Sequence, residues 1–341
     1  MPERNRQVLL KRRPEGMPVP SDFDIVDAPL PEPKEGEVLL RGIYLSLDPY
    51  MRGRISGVRS YAKPTEIGEV IEGRVVGRVA RSNHPDFREG DYAMGGYGWQ
   101  LYSAVPASGL LKLDPAEAPI STALGILGMP GMTAYIGLSD IGQPKSGETV
   151  VVSAASGAVG AVAGQLAKRQ GARIVGIAGG ADKCRYVKDE LGFDAALDHH
   201  GPDLGAALDG ACPKGIDVYF ENVGGAVQQA VFPRLNDFGR MIMCGMISEY
   251  NDQTPRPGPN LGAVVRKRLK IQGFIVSDQR HRQAEFRAMA APLVKSGQLK
   301  YREDIAEGID GAPAAFIGLL QGRNFGKLLV RLSDDPSRQR R

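Results

Sequence analysis

The sequence is poor in the residues that hold metals. Its 341 residues include three cysteines (Cys184, Cys212, Cys244) and four histidines (His84, His199, His200, His281), and no cysteine precedes position 184. A structural zinc needs four closely spaced ligands, and a catalytic one needs a Cys/His/Glu set near the reacting atoms. Zinc-dependent alcohol oxidation is therefore not expected. The neighbours His199 and His200 do not change this, because adjacent residues on an extended segment point to opposite faces. No G-x-S-x-G elbow and no pair of spaced carboxylates suggests hydrolysis. No apolar run reaches the eighteen or so residues of a membrane span, and no apolar leader follows Met1. With so few cysteines, a reducing, cytoplasmic setting is expected. The formal net charge of +4 is scattered, and part of it lies in "RNRQVLLKRR" and "DDPSRQRR", which read as solvated ends. Nucleic acid is not an expected partner.

What is present has two textures. A chain this long exceeds what one core usually supports, so two domains are expected. Residues 1 to about 125 carry short β-like runs such as "GEVLLRGIYLSLD" and "EVIEGRVVGRVA", broken by Pro- and Gly-rich turns. From about 126 short apolar runs alternate with helical stretches: "ETVVVSA", "ARIVGIAG", "AALD", "IDVYFENV", "GRMIMCGM" and "LKIQGFIV". Apolar runs without alternation are what a parallel sheet buried on both faces looks like in sequence. The expected fold class is α/β, a doubly wound parallel-sheet Rossmann domain beside a β-rich domain. The closing "GAPAAFIGLLQGRNFGKLLVRL" reads as a short helix and a last strand.

The stretch "SAASGAVGAVAGQLAKRQG" follows the first parallel strand, which should end at about Val152. Ala155, Gly157 and Gly160 fit the dinucleotide fingerprint with alanine in its first slot, A-x-G-x-x-G. A small first residue permits the tight turn, Gly157 lets backbone N–H groups reach a pyrophosphate, and Gly160 allows close helix packing, continued by Gly164 one turn later. The helix N-terminus then faces the phosphates. The second strand ends in Ala178-Gly179-Gly180, where an NAD binder would carry an acid on the ribose. The first carboxylate is Asp182 and Lys183 follows it. A lysine attracts a 2′-phosphate, so NADPH (NADP) is the expected cofactor.

"LSLDPYMRGR", "GMPGMTAYIGL", "GETVVVSAASGAVG", "DVYFENVGG", "CGMISEYN", "GFIV" and "GRNFGKLLV" occur in this order over residues 38 to 331. Together they resemble the zinc-independent medium-chain dehydrogenase/reductase family, within it the leukotriene B4 12-hydroxydehydrogenase/prostaglandin reductase branch with its alkenal/one and curcumin reductases. The resemblance implies a GroES-like substrate and catalytic domain from 1–125 and 312–341, a Rossmann NADP-binding domain from 126–311, an active site in the cleft between them, and a homodimer.

Carried over by position, the resemblance places Ala155, Ser156, Gly157, Ala158 and Val159 around the pyrophosphate and Lys183 on the 2′-phosphate. His199 stands where the family usually has a 2′-phosphate tyrosine, which would make part of that contact depend on pH. Asn222 follows a strand end, where doubly wound sheets bind ligands, and is a cofactor contact in the family. Cys244, Gly245, Met246 and Ile247 would lie beside the nicotinamide, Phe274, Ile275 and Val276 would follow on the next strand, and Asn324 would close over the amide.

Without a Lewis acid, a conjugated carbonyl is easier to reduce than a plain ketone, because it spreads incoming charge into an enolate. The expected reaction is reduction of the C=C bond of an α,β-unsaturated aldehyde or ketone. The enolate oxygen needs a preorganised donor. The resemblance implies Tyr250 for it, with Tyr50 as the second choice; Asp48 and Arg52 serve equally well to hold the local turn. Tyr61, Tyr97, Trp99 and Tyr102 are candidate walls for an apolar, conjugated substrate, or simply core of the β-rich domain. Two other readings stay open: an NADPH-dependent quinone oxidoreductase, and a nucleotide-binding protein without turnover on the same fold.

Overall fold

A computed structural model describes residues 4–58 and 60–337. The chain forms two compact units. One holds the residues up to Leu124, Glu303–Asn324 and the segment from Leu328 onward; the other holds Gly125–Arg302 and Phe325–Lys327.

The first unit opens with β1 (Asn5–Leu10), antiparallel to β2 (Phe23–Ala28). Val8 and Leu10 in β1 are fully buried, and Arg6 pairs with Asp27 and Asp310. The basic N-terminal stretch is thus a strand and not a solvated end: its alternating Val8 and Leu10 outweigh the charges beside them. There follow β3 (Glu37–Ser46), β4 (Arg74–Ser82), β5 (Tyr92–Gly96), β6 (Tyr102–Pro106) and β7 (Leu111–Leu113).

In the second unit, β8 (Thr149–Val152), β9 (Arg173–Ala178), β10 (Ala195–Asp198), β11 (Ile216–Glu221), β12 (Leu235–Met243) and β13 (Lys270–Gly273) make one parallel sheet. Its order, β10-β9-β8-β11-β12-β13, is that of the doubly wound Rossmann sheet. Val150, Val151 and Val152 have no exposed surface, the condition for a run without alternation. The crossover after β8 is the helix Gly160–Arg169, and the one after β9 runs from Ala181 to Arg185 and widens into a π turn over Tyr186–Glu190.

Then β14 (Glu303–Glu307) and β15 (Lys327–Arg331) complete a GroES-like, seven-stranded sheet of the first unit, in the order β14-β15-β3-β4-β5-β7 with β6 also on β3. Trp99 is fully buried here, parallel to Phe23 at 6.1 Å and edge-on to Phe316 at 5.6 Å. Tyr102 is 4 % exposed. Trp99 and Tyr102 are therefore packed in the core of this unit, where an indole stacked on one ring and edge-on to another gains from the exclusion of water. The C-terminal stretch is also not free in solvent as far as Ser337: Asp335 and Ser337 are buried, and Tyr44 donates to Asp335 at 3.1 Å. Residues 338–341 lie outside the described residues.

Candidate functional site

The turn after β8 explains its small residues. Ala155 N–H donates to Ile177 O (2.9 Å) and Gly157 N–H to Ala154 O (2.9 Å), which folds the chain back on itself. A Cβ on Gly160 would sit 2.4 Å from Ala154 O, and one on Gly164 1.8 Å from the Phe193 ring, so both positions exclude any side chain. At Gly157 a Cβ would meet Ala154 alone, its O at 3.1 Å and its Cβ at 4.0 Å. Gly160 and Gly164 thus serve packing, whereas Gly157 leaves the outer side of the turn bare. Among the described residues, the N–H groups of Ser156, Ala158 and Val159 donate to nothing. Three free N–H groups at the N-terminus of a ten-residue helix form an anion site. A pyrophosphate fits it.

The end of β9 suits the other phosphate. Gly180 has φ +90° and its N–H donates to Asp198 Oδ1 (2.9 Å), which also accepts from His200 N (3.0 Å). These two N–H donors hold the Asp198 carboxyl below its usual range. Lys183, half-buried, follows in the next helix. His199 and His200 sit in a turn after β10 with ring centroids 4.1 Å apart. They do not point to opposite faces, because the strand ends at Asp198 and the extended geometry ends with it. Burial first, then His200 and Lys183, push the His199 imidazole below its ordinary value, against Asp198. At neutral pH His199 is thus an uncharged donor beside Lys183.

A third cluster joins the ends of β8, β11 and β12. Glu221, fully buried, accepts from Ser153 Oγ (2.9 Å), Tyr219 Oη (2.8 Å), Val223 N (2.6 Å) and Gly224 N (3.1 Å). Asn222 donates from its backbone N to Ser153 Oγ and from Nδ2 to Ser153 O, both at 2.8 Å, which leaves Oδ1 as its acceptor among the described residues. Cys244 N and Gly245 N donate to Glu221 O. Burial, and then Glu221, push the Cys244 thiol up to about 12, so it is no nucleophile. Ile247 N and Ser248 N bond back to Asn222 O and Val223 O. The Tyr250 hydroxyl accepts from Met246 N at 3.3 Å, so its own proton points elsewhere. Phe274 and Ile275 do not lie on a strand: β13 ends at Gly273, and Val276 already begins a short 3₁₀ helix to Arg282.

In the first unit, Tyr50 is half-buried at the head of the short helix Met51–Arg54. Among the described residues its hydroxyl has no hydrogen-bond partner. Burial, then Asp48 and Glu72, raise its pKa, opposed by Arg74 and Arg54. It therefore remains protonated. Arg52 donates to Gly16 O (2.8 Å) and Ser46 Oγ to Asp48, so both flanking charges hold the turn. Tyr61 is 58 % exposed. Tyr97 packs on Gly95, and burial pushes its phenol up to about 12. Asn324 lies in the loop before β15.

The residues that sequence reasoning passed over are Ser153, Ala154, Asp198, Glu221 and Arg54. Glu221 had a readable signal, an acid closing an otherwise apolar strand; Ala154, at φ +48°, had none.

Residues 6–113 match the family described as the N-terminal domain of oxidoreductase, and residues 158–296 the one described as zinc-binding dehydrogenase. Zinc does not fit: among the described residues no three His, Cys, Asp or Glu side chains come together as a metal would require. The chain is 50 % identical over 339 residues to NADPH-dependent curcumin reductase of Escherichia coli K12, covering 98 % of each. It is 43 % identical over 335 residues to 2-alkenal reductase (NADP(+)-dependent) of Nicotiana tabacum, covering 96 % of this chain and 98 % of that one. The crystal structure of CurA in complex with NADPH from Vibrio vulnificus superposes with a TM-score of 0.93 at 46 % identity, over 97 % of this chain and all of the other. With the fingerprint turn, the doubly wound sheet and these relatives spanning nearly its full length, the chain belongs to the medium-chain dehydrogenase/reductase family.

Proposed function

We propose that this protein uses NADPH to reduce the C=C bond of α,β-unsaturated aldehydes and ketones. The observation that carries the reading is the bare turn with its three free N–H groups, set at the same sheet edge as the laced loops of Asn222 and Tyr250. The named activities of the relatives, curcumin and 2-alkenal reduction, supply the substrate class. Ser156, Ala158 and Val159 would hold the pyrophosphate by backbone N–H, with Ala155 and Gly157 keeping the approach clear. Lys183 and neutral His199 would hold the 2′-phosphate. Asn222 through Oδ1, Cys244 to Ile247 and Phe274 to Val276 would surround the nicotinamide. When bound, the cofactor supplies the hydride.

The protein's part is to receive the charge that hydride addition sends to the carbonyl oxygen. Tyr250 donates its hydroxyl proton toward that oxygen; Tyr50, kept protonated by its surroundings, is the alternative donor. Donors fixed before the reaction need no reorganisation as the enolate forms. Water delivers the proton to the α-carbon, so no further acid is required.

The test is a panel of enals, enones and quinones with NADPH and with NADH, read by loss of nicotinamide absorbance and by product analysis. A saturated carbonyl product is expected. Turnover of quinones alone would overturn the reading in favour of quinone reduction, and saturable NADPH binding without consumption would overturn it in favour of a binding protein. In the same assay Lys183→Ala should raise the Michaelis constant for NADPH about 10- to 100-fold, the worth of a charged hydrogen bond to phosphate, and leave that for NADH within about twofold. Equal effects on both would remove Lys183 from the 2′-phosphate.

The protein acts in the cytoplasm as a homodimer in this reading. Cys184, Cys212 and Cys244 are all free thiols, as a reducing compartment keeps them; among the described residues no helix is long and apolar enough to cross a membrane. All four residues of β13 are exposed at the sheet edge, near a set of exposed apolar side chains on the same unit: Phe238 (64 %), Leu261 (63 %) and Val265 (81 %). An uncovered strand edge invites pairing, and a second copy pairing there would bury it. Light scattering should give twice the chain mass, and Val265→Glu should halve it.

A further inference from the structure

Arg54 is the least explained charge in the molecule. It is 9 % exposed, and its Nε and Nη1 are buried without a hydrogen-bond partner. Its ion-pair partner is Glu72, at 3.4 Å from Nε, near enough for attraction but not aligned as a hydrogen bond; the Glu72 side chain is half exposed. The guanidinium lies 5.6 Å from the centre of the Tyr50 ring and 4.9 Å from that of Tyr61. A guanidinium flanked by two aromatic rings gains from their electron-rich faces. That gain does not satisfy buried N–H groups, which cost stability when left unmade. A side chain chosen for folding alone would be apolar here. Groups held at such a cost tend to mark functional sites.

The Tyr50 ring that Arg54 covers carries a hydroxyl with no partner among the described residues, and four charges face it: Asp48 and Glu72 on one sign, Arg74 and Arg54 on the other. Asp48 is engaged by Ser46. Arg54 is therefore the buried cation that both fixes the plane of the ring and offsets the two carboxylates beside it. We propose that Arg54 is a positioning residue for the reduction: it orients Tyr50 and strengthens the Tyr50 O–H as a donor to the substrate's carbonyl oxygen while negative charge builds there. This rests on the enone-reductase reading and on Tyr50 as a donor within it. It implies an acceptor that becomes anionic at oxygen during turnover; an acceptor without such an oxygen would gain nothing from the cation.

A double-mutant cycle on Tyr50 and Arg54 tests it, using the full chain, NADPH and an enone that the wild type reduces. Arg54→Met should lower kcat about 10- to 100-fold, somewhat less than loss of a direct oxyanion donor, with the Michaelis constant for NADPH within about twofold. In the Tyr50→Phe background the same substitution should change kcat by less than about twofold, because the group it acts through is gone. Arg54→Lys, which keeps the charge and guards against a variant that fails to fold, should recover most of the rate. Thermal unfolding of Arg54→Met should occur at or above the wild-type midpoint. Equal slowing in both Tyr50 backgrounds, or a lowered midpoint with no rescue by lysine, would reduce Arg54 to a structural role and overturn the proposal while leaving the enone reading intact. Unchanged kcat in Tyr50→Phe would overturn it through Tyr50. A wild type that consumes no NADPH with any enone would remove the broader reading, and the proposal with it.

Discussion

Tyr250→Phe is expected to lower kcat for an enone by about 10²-fold, the usual loss when one preorganised oxyanion donor is removed, with NADPH affinity nearly unchanged. The structure makes the substitution a clean one. The ring is held by a backbone bond from Tyr250 N to Ile247 O, and the hydroxyl accepts from Met246 N, at 3.3 Å. Phenylalanine loses that weak bond and the donated proton while its ring can stay in place. The effect should thus fall on the chemical step and not on cofactor binding. Measuring kcat and the NADPH Michaelis constant together checks this; unchanged turnover would strip Tyr250 of its role, and a large rise in the Michaelis constant would mean that the loop itself had moved.

The second large effect is on folding. Glu221→Ala should destabilise the second unit by roughly 4 kcal/mol, because each buried donor left without its acceptor costs about 1–3 kcal/mol. Four donors converge on that carboxyl: Ser153, Tyr219, and the N–H groups of Val223 and Gly224. On a stability of about 5–15 kcal/mol this is a severe loss, and the thermal midpoint should drop by about 10 °C. Calorimetry of the purified variant is the direct measurement. A midpoint within about 2 °C of wild type would mean that water takes the place of the carboxyl, and the network would then be less dry than its full burial implies. NADPH should weaken in the same variant, since Asn222 hangs from Ser153 by two bonds.

Much of the second unit could be read from the residues alone. Most of its strands coincide with apolar runs such as "TVVV" or "IDVYFE", because a strand buried on both faces has to be apolar almost throughout; the exposed edge strand β13, "KIQG", does not. The fingerprint was legible for a similar reason: Gly160 and Gly164 stand where any Cβ would strike Ala154 or Phe193. The first unit was less transparent. Its strands mix patterns, β2 alternating and β3 buried almost throughout, and its core aromatics look the same in sequence as the wall of a pocket, so Trp99 and Tyr102 could be assigned only once their neighbours were known. The basic N-terminus was misjudged because charge dominates its composition, while the periodicity of Val8 and Leu10 decides where it goes. Beyond Gly273 the strand stops, although "GFIV" continues an apolar run, since apolar content does not by itself say where pairing ends. Arg54 was invisible, as the groups it braces are rings, whereas Glu221 stood out only as an acid closing an apolar strand, and its four donors came into view with the fold.

One small departure in the phosphate turn has a wider meaning. The residue there that takes a left-handed backbone is Ala154, at φ +48°, where glycine would enter the same region at ease. That backbone costs alanine about 1–2 kcal/mol, and the bonds from Ala155 N to Ile177 O and from Gly157 N to Ala154 O hold the chain in it. The strain is thus borne by contacts within the fold and not by the ligand, and the dinucleotide meets a turn whose conformational cost its own binding need not cover.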